Sequence, residues 1–234
     1  MQYYPVYLDI HHKNCLVVGG GSVGTRKVKT LLDCGASVTV VSPTVSESLA
    51  ILAEAQAVQV KKRAYRSTDV SDMFLVIGAT NDEELNQQVS RDAERRNTLC
   101  NIADRPSVCN FILPSIVRRG DLVIAISTSG NSPAFAKKLR RDMEKQYGEE
   151  YAVFLKLMGA IRKRLLQEAH EPEAHKPIFN RIIQSDLIQR IREGDEDAAN
   201  AILYEILGRG YRFRDLVFEE QHPVKEDATP AEQL

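Results

Sequence analysis

The sequence predicts an α/β protein, with a doubly wound parallel sheet first and a helical region after it. Three observations predict this. A glycine turn stands between an apolar run and an amphipathic segment near the N-terminus. Apolar runs and amphipathic segments then alternate as far as Asp104. After Asp104 the alternation gives way to one close pair of apolar runs and a long helical pattern. Strands alternating with helices are what a parallel sheet with crossover connections requires.

From Lys13 to Ser42 the order is strand, glycine turn, helix, strand. Cys15-Leu16-Val17-Val18 is apolar, and Gly19-Gly20-Gly21-Ser22-Val23-Gly24 follows it. Val23, Val28, Leu31 and Leu32 lie on one side of the next segment, which ends near Cys34-Gly35. Val38-Thr39-Val40-Val41 is the second apolar run. Gly19, Gly21 and Gly24 match G-x-G-x-x-G in the strand–turn–helix context that gives the motif meaning. The three glycines play separate roles. Gly19 permits a tight turn, Gly21 lets backbone approach a pyrophosphate, and Gly24 lets helix pack on strand. The helix N-terminus offers free N–H groups and a positive dipole end to phosphates. Gly19, Gly21, Ser22, Val23 and Gly24 are therefore the expected cofactor contacts of a Rossmann-type sheet. The plainer alternative is a βα turn that uses glycine only for geometry.

The remaining strands follow in order. Thr44 and Glu47 form a capping-box pair ahead of Leu49, Ile51 and Leu52, which predicts a second helix. Val58-Gln59-Val60 is a third strand. Met73-Phe74-Leu75-Val76-Ile77 is nearly all apolar, as a strand covered on both faces should be. Asn81, with Glu84 three residues on, is placed to cap a helix running to about Arg96, and Thr98–Ile102 is a fifth strand. Beyond Asp104, the runs 111–117 and 122–126 flank Arg118-Arg119-Gly120-Asp121, which predicts a hairpin. Ser132-Pro133 is a helix start. Helical pattern then continues to Gly208, broken around Glu171-Pro172 and Lys176-Pro177, with Ser185 and Asp195 as caps for the last two helices. The polar, aperiodic stretch from His222 reads as a frayed tail.

Composition narrows the classes. At 234 residues, 43% hydrophobic and 27% charged, the chain has enough apolar content for a substantial core. No apolar run approaches membrane-spanning length, and Met1-Gln2-Tyr3-Tyr4-Pro5 lacks the basic and apolar regions of a secretory signal. A net charge of -1 gives no global drive toward nucleic acid. Cys15, Cys34, Cys100 and Cys109 have no Cys-x-x-Cys spacing and read as reduced thiols in a cytoplasmic protein.

Several constellations carry candidate chemistry. A ribose-binding acid is expected about 20 residues past the glycines. The second run instead ends Val41-Ser42-Pro43, so Ser42 is the candidate ribose contact. No Lys or Arg follows until Lys61, which favours NAD over NADP. Gly78-Ala79-Thr80-Asn81 and Asn101-Ile102-Ala103-Asp104 lie at carboxyl ends of strands, where open α/β sheets bind ligands. Thr80, Asn81, Asn101 and Ile102 are candidate cofactor contacts. Asp104 is either a proton acceptor beside a departing hydride or an Asx-turn residue stabilising the loop. From Pro114 to Gln146 seven basic residues stand against three acidic ones, a local +4. Ser127-Thr128-Ser129-Gly130-Asn131-Ser132 meets a helix N-terminus there, an anion site for a polycarboxylate or phosphate; the alternative is a solvated helix face. His170 and His175 flank Glu171 and Glu173, but Pro172 breaks the helix that would align them, so no metal site is expected.

Taken together, the motifs resemble the siroheme synthase N-terminal family. The resemblance is carried, in order, by Tyr4-Pro5-Val6-Tyr7-Leu8, Val17–Gly24 with Arg26-Lys27, Ala79-Thr80-Asn81-Asp82, Asn101–Asp104, Phe111-Ile112-Leu113-Pro114 and Ser129-Gly130-Asn131-Ser132-Pro133. It covers about residues 3–145, and the helical remainder fits the family in length. The resemblance implies NAD-dependent oxidation of precorrin-2 to sirohydrochlorin, with ferrous iron insertion as an activity of some members. It implies that Asp104 is the catalytic residue. It implies that the substrate's acetate and propionate arms are met by the basic loop and helix: Arg105, Arg118, Arg119, Thr128, Ser129, Asn131, Ser132 and Lys137. It also implies a homodimer sharing its hairpin and helical parts. The expected division is 1–113 for NAD binding, 114–147 for dimerisation, 148–221 as a helical domain and 222–234 as a flexible tail. The family often has Ala where Gly24 stands. Two other classes compete: a non-enzymatic NAD/NADH-sensing module, and a nucleic-acid binder using the 118–145 basic patch. The second is disfavoured because only Phe111 and Phe135 lie near that patch for stacking.

Overall fold

The structure, a computed structural model, describes residues 3–103, 105–168 and 175–218. These fall into two compact units. One comprises the chain up to Pro114 together with Ser127–Pro133; the other comprises Ser115–Ile126 and the chain from Ala134 onward.

The first unit is built on β1 (Asn14–Gly20), α1 (Ser22–Asp33), β2 (Ser37–Val45), α2 (Glu47–Glu54), β3 (Gln59–Lys61), β4 (Leu75–Gly78), α3 (Glu83–Glu94) and β5 (Leu99–Ile102). All five strands are parallel, in the order β3-β2-β1-β4-β5. The chain starts at the centre, winds outward through β2 and β3, then crosses to β4 and β5. The point of reversal, between β1 and β4, is where a doubly wound sheet opens a crevice for ligand. The apolar runs pack as strands covered on both faces do. Val17 goes to one face with Val28, Leu49 and Ile77, while Leu16 and Val18 go to the other with Val76, Val89 and Ile102. The period of two in β1 and the helical period of α1 and α3 thus meet in two cores.

Local starts and stops differ from the sequence reading at three places. β2 does not end at Ser42. Its register against β1 shifts between Val18↔Val41 and Gly20↔Val45, so the strand runs on to Val45. Ser42 donates its hydroxyl hydrogen to Thr44 O at 2.6 Å within that irregularity, and Pro43, which has no N–H to give a ladder, is tolerated there. Thr44 is therefore strand, and the cap of α2 is Ser46, whose Oγ accepts from Leu49 N. At α3 the cap is Asp82, accepting from Leu85 N at 3.0 Å, rather than Asn81. A carboxylate at an N-cap gains from the helix dipole as well as from the hydrogen bond.

β5 is one of the two outer strands of the sheet, and its free edge is covered by residues 109–110. Asn110 accepts from Cys100 N at 2.7 Å and donates to Thr98 O at 3.0 Å through its amide, while its backbone N–H donates to Cys100 O at 3.1 Å. Edges left bare are pairing hazards; here a loop takes the place of a sixth strand.

The second unit contains the predicted hairpin, β6 (Ser115–Arg119) paired antiparallel with β7 (Leu122–Ile126) from Ser115↔Ile126 to Arg119↔Leu122. The helices α4 (Pro133–Gln146), α5 (Glu150–Glu168), α6 (Lys176–Gln184), α7 (Leu187–Glu193), α8 (Glu196–Leu207) and α9 (Phe213–Phe218) follow. Phe154, Leu157, Ile161 and Leu165 recur at helical spacing along α5 and bury against Ile182, Leu187, Leu203 and Leu216. Pro177 sits in the first turn of α6, where proline starts a helix. Asp195 caps α8 as expected, accepting from Ala198 N at 3.0 Å. Ser185 takes the Leu187 N–H, one residue ahead of the N-cap Asp186. The break expected at Glu171-Pro172 and the tail from His222 lie outside the described residues.

Candidate dinucleotide-binding site

The site is built where β1 ends and α1 begins. Gly19 has φ +114°, a left-handed conformation that L side chains rarely adopt, and a Cβ there would stand 2.3 Å from Ala79 O. A Cβ on Gly24 would stand 2.1 Å from Gly19 O, and one on Gly20 would stand 2.4 Å from Thr44 O. These three glycines are required by protein packing alone. Gly21 is different. Its φ of -75° suits any residue, yet nothing lies within 4 Å of where its Cβ would be.

The first turn of α1 is correspondingly open. Its N-cap is Gly21, no side chain caps it, and its first turn has no acidic residue. The first backbone bond is Thr25 N–H to Gly21 O at 2.9 Å, so the N–H groups of Ser22, Val23 and Gly24 precede the helical ladder. Thr25 and Ser46 brace the turn: their hydroxyls lie 2.8 Å apart, and Ser46 N–H donates to Gly20 O at 2.8 Å. Uncapped donors at a dipole's positive end, beside open space over Gly21, fit the pyrophosphate of a dinucleotide. Residues that could hold such a cofactor are thus Gly21, Ser22, Val23 and Gly24, with Gly19 and Gly20 shaping the turn.

The other predicted contacts divide. Thr80 and the exposed Asn81 follow β4, across the switch point from the glycine turn. Asn86 fixes this loop: it is 5% exposed, its amide donates to Thr80 O at 2.9 Å and its Oδ1 meets Thr80 Oγ1 at 3.0 Å. Ser42, Asn101 and Ile102 turn inward. Ser42 is 7% exposed with its hydroxyl given to Thr44 O. Asn101 donates its amide to Phe111 O at 3.0 Å, and the Ile102 side chain lies in the core. Asp104 lies outside the described residues, but its neighbours on either side do not. Ala103 N–H donates to Gly78 O at 2.8 Å and Arg105 N–H to Ile102 O at 3.3 Å.

The residues assigned to substrate carboxylates are found as follows. Arg105 is ion-paired with Glu83 at 2.5 Å. Thr128 Oγ1 accepts from Ser132 N at 3.1 Å, and Ser129 (φ 52°) and Gly130 (φ 85°) are both left-handed, leaving Ser129 and Asn131 exposed on a tight loop. In the second unit Arg118 and Lys137 are exposed. Arg119 is not free for ligand: its guanidinium donates to Arg118 O at 2.8 Å and Glu144 O at 3.1 Å, and its Nε pairs with Glu149 at 3.3 Å without a hydrogen bond. Lys138–Asp142 and Arg140–Glu144 ion pairs occupy two more α4 cations. Of the suggested metal cluster, His170, Glu171 and Glu173 lie outside the described residues; His175, at the start of α6, is buried. No helix among the described residues is long and apolar enough to cross a membrane.

Comparison with known proteins agrees with this geometry. Residues 6–115 match a family model described as "Putative NAD(P)-binding", and residues 119–146 match one described as "Sirohaem biosynthesis protein central". Siroheme synthase of Nitrosococcus oceani is 36% identical over 211 residues, covering 90% of this chain and 45% of that protein. Siroheme synthase of Nitrosospira multiformis is 35% identical over 230 residues, covering 96% and 47%. The chain thus spans about half the length of the curated relatives it matches. A solved structure, SirC, precorrin-2 dehydrogenase, superposes with a TM-score of 0.71 at 29% identity, over 87% of this chain and 98% of that one. Sheet order, glycine turn and uncapped helix define a Rossmann-type NAD(P)-binding protein. The chain belongs to the siroheme synthase N-terminal family.

Proposed function

We propose that this chain is an NAD-dependent precorrin-2 dehydrogenase, oxidising precorrin-2 to sirohydrochlorin in siroheme biosynthesis. The observation that carries the reading is the likeness to SirC, precorrin-2 dehydrogenase, over 98% of that protein. The open cradle over Gly21 supports it, since a turn needed only for geometry would have no reason to leave that space clear.

When bound, NAD supplies the hydride acceptor. The chain's own residues do the rest. Gly21 and the N–H groups of Ser22, Val23 and Gly24 hold the diphosphate. Thr80 and Asn81, on the loop after β4, border the cofactor across the switch point. Asp104, two residues past the end of β5 in the sequence, accepts the proton that leaves the reduced macrocycle with the hydride. In the first unit, Arg105 and the loop residues Thr128, Ser129, Asn131 and Ser132 are the proposed groups for the acetate and propionate arms. NAD is preferred to NADP because the first charged residue past β2 is the exposed Glu47, which repels a 2′-phosphate.

The protein is proposed to act in the cytoplasm as a homodimer, with 114–147 as the dimerisation segment. A two-stranded sheet is marginal without further partners. Within the second unit, Ile116 on β6 and Phe135 on α4 are 43% and 50% exposed.

An absorbance assay with precorrin-2 tests the function. NAD-dependent conversion to sirohydrochlorin is expected, and none without NAD. A sensing module would bind NAD and leave precorrin-2 unchanged, which would overturn the proposal. Adding ferrous iron to the product reads the iron insertion that the family resemblance implies.

A further inference from the structure

The edge of β5 is closed by two side chains with different reach. Asn110 serves the middle of the strand through Thr98 and Cys100. Cys109 serves its C-terminal end. Its Sγ accepts the Ile102 N–H at 3.1 Å, lies 3.4 Å from Ile102 O, and donates to Arg105 O at 3.1 Å. The amide of Asn101 lies 3.7 Å from the same sulfur. Val108 O accepts from Ser90 Oγ at 2.8 Å, which ties the loop to α3.

We propose that Cys109 is a positioning residue for the dehydrogenase, clasping the turn that follows β5 at Ile102 and Arg105 and so setting the chain on both sides of Asp104. The proposal rests on the dehydrogenase reading above. Its physical basis is the double use of one thiol. A protonated thiol both donates and accepts. Burial pushes the Cys109 thiol above its ordinary range, so it keeps its proton at neutral pH. Ile102 is 2% exposed, so losing the sulfur leaves its N–H without a partner away from water. The Arg105 carbonyl loses the nearer of its two donors and keeps only Val108 N–H, at 3.3 Å. Ala103, between these anchors, is held from the other side by Gly78 O. The chain on either side of Asp104 is thus fastened by β4 at Ala103 and by the thiol at Ile102 and Arg105.

The test uses the full chain with precorrin-2 and NAD. Cys109→Ala should lower kcat by roughly 10- to 100-fold, the scale of a small misplacement of a catalytic group, while the Kd for NAD stays within about twofold. Cys109→Ser, whose hydroxyl also donates and accepts, should recover most of that kcat. Asn110→Ala is the control for edge stability: it should lower Tm and leave kcat within about threefold, because it touches no group of the 102–105 turn. If Cys109→Ala does not fold, Cys109→Val keeps the bulk without the hydrogen bonds and is read the same way. A Cys109→Ala or Cys109→Val variant with unchanged kcat overturns the proposal. So does a Ser variant as slow as Ala, or an Asn110→Ala variant that loses kcat to the same extent. Wild-type protein that leaves precorrin-2 unoxidised overturns the dehydrogenase reading itself and this proposal with it.

Discussion

The carbonyl oxygen of Gly19 stands 2.1 Å from the place a Cβ on residue 24 would take. The family resemblance treats Gly24 and Ala as interchangeable, but here alanine can enter only if the turn at Gly19 moves. Two glycines five residues apart are thus one structural unit, and Gly21 between them faces open space. Gly21→Val should fold with nearly unchanged Tm and lose NAD binding, because its backbone is ordinary and its side chain enters open space. Gly19→Ala should do the reverse damage, costing about 1–3 kcal/mol from backbone strain alone. Calorimetric titration with NAD, beside thermal melts, separates the two. A folded Gly21→Val variant with normal NAD affinity would show that the whole motif is geometric.

NAD should bind more tightly than NADP, by about tenfold or more, equivalent to about 1.4 kcal/mol. Glu47→Lys should narrow or reverse the ratio, because it replaces a repelling charge beside the end of β2 with an attracting one. Titration of both nucleotides against both proteins decides the matter. Tighter NADP binding by the wild type contradicts the claim.

Asp104→Asn should bind NAD normally and turn over precorrin-2 more slowly by roughly 10²–10⁴-fold, the usual range for removing a general base. The amide keeps shape and hydrogen bonding but has no basicity. Turnover within about threefold of wild type would assign the proton to water or to another group.

Acid should destabilise the first unit through Asp69. This carboxylate is 5% exposed and bonded by both oxygens to Arg63 at 2.6 and 2.8 Å, with a further bond from Arg66 N at 2.9 Å. The hydrogen bond from Arg63 is the leading cause that holds its pKa below the ordinary 3.8, against the opposing effect of burial. A depressed carboxylate pKa means the folded state resists protonation. Its contribution to stability is therefore complete above pH 3.8 and is lost as pH falls through the lower folded value. Asp69→Asn should lower Tm at neutral pH and flatten the acid limb of Tm against pH. An acid limb as steep as wild type would assign the sensitivity elsewhere.

A homodimer is expected in solution at micromolar concentration. Multi-angle light scattering tests it directly, and Ile116→Glu, on the exposed side of β6, should shift the equilibrium toward monomer. A wild-type monomer at that concentration would remove 114–147 as a dimerisation segment.

Most of the element order was legible in consecutive residues. The period of two in Cys15–Val18 and the helical period from Val23 to Leu32 are local patterns, and local patterns survive being read one window at a time. The glycine motif was legible for the same reason, since its spacing encodes a turn. The hairpin at 115–126 and the start of α4 at Pro133 were likewise readable from turn chemistry.

What only the tertiary structure decided involves residues far apart in sequence. Which glycine is left clear of protein depends on the positions of Ala79 and Thr44, not on the motif. The true end of β2 depends on Gly20 pairing with Val45, which makes Thr44 strand rather than cap and leaves the cap of α2 to Ser46. Asn101 reads as a ligand contact in a strand-end loop, yet its amide is taken by Phe111 O, ten residues on. Cys109 carries no motif at all; it became visible only once the edge of β5 presented an Ile102 N–H and an Arg105 carbonyl to one thiol. Periodicity records which way a side chain faces. Partners across a sheet edge, and the space a missing Cβ leaves open, are set by distant segments, and no local pattern encodes them.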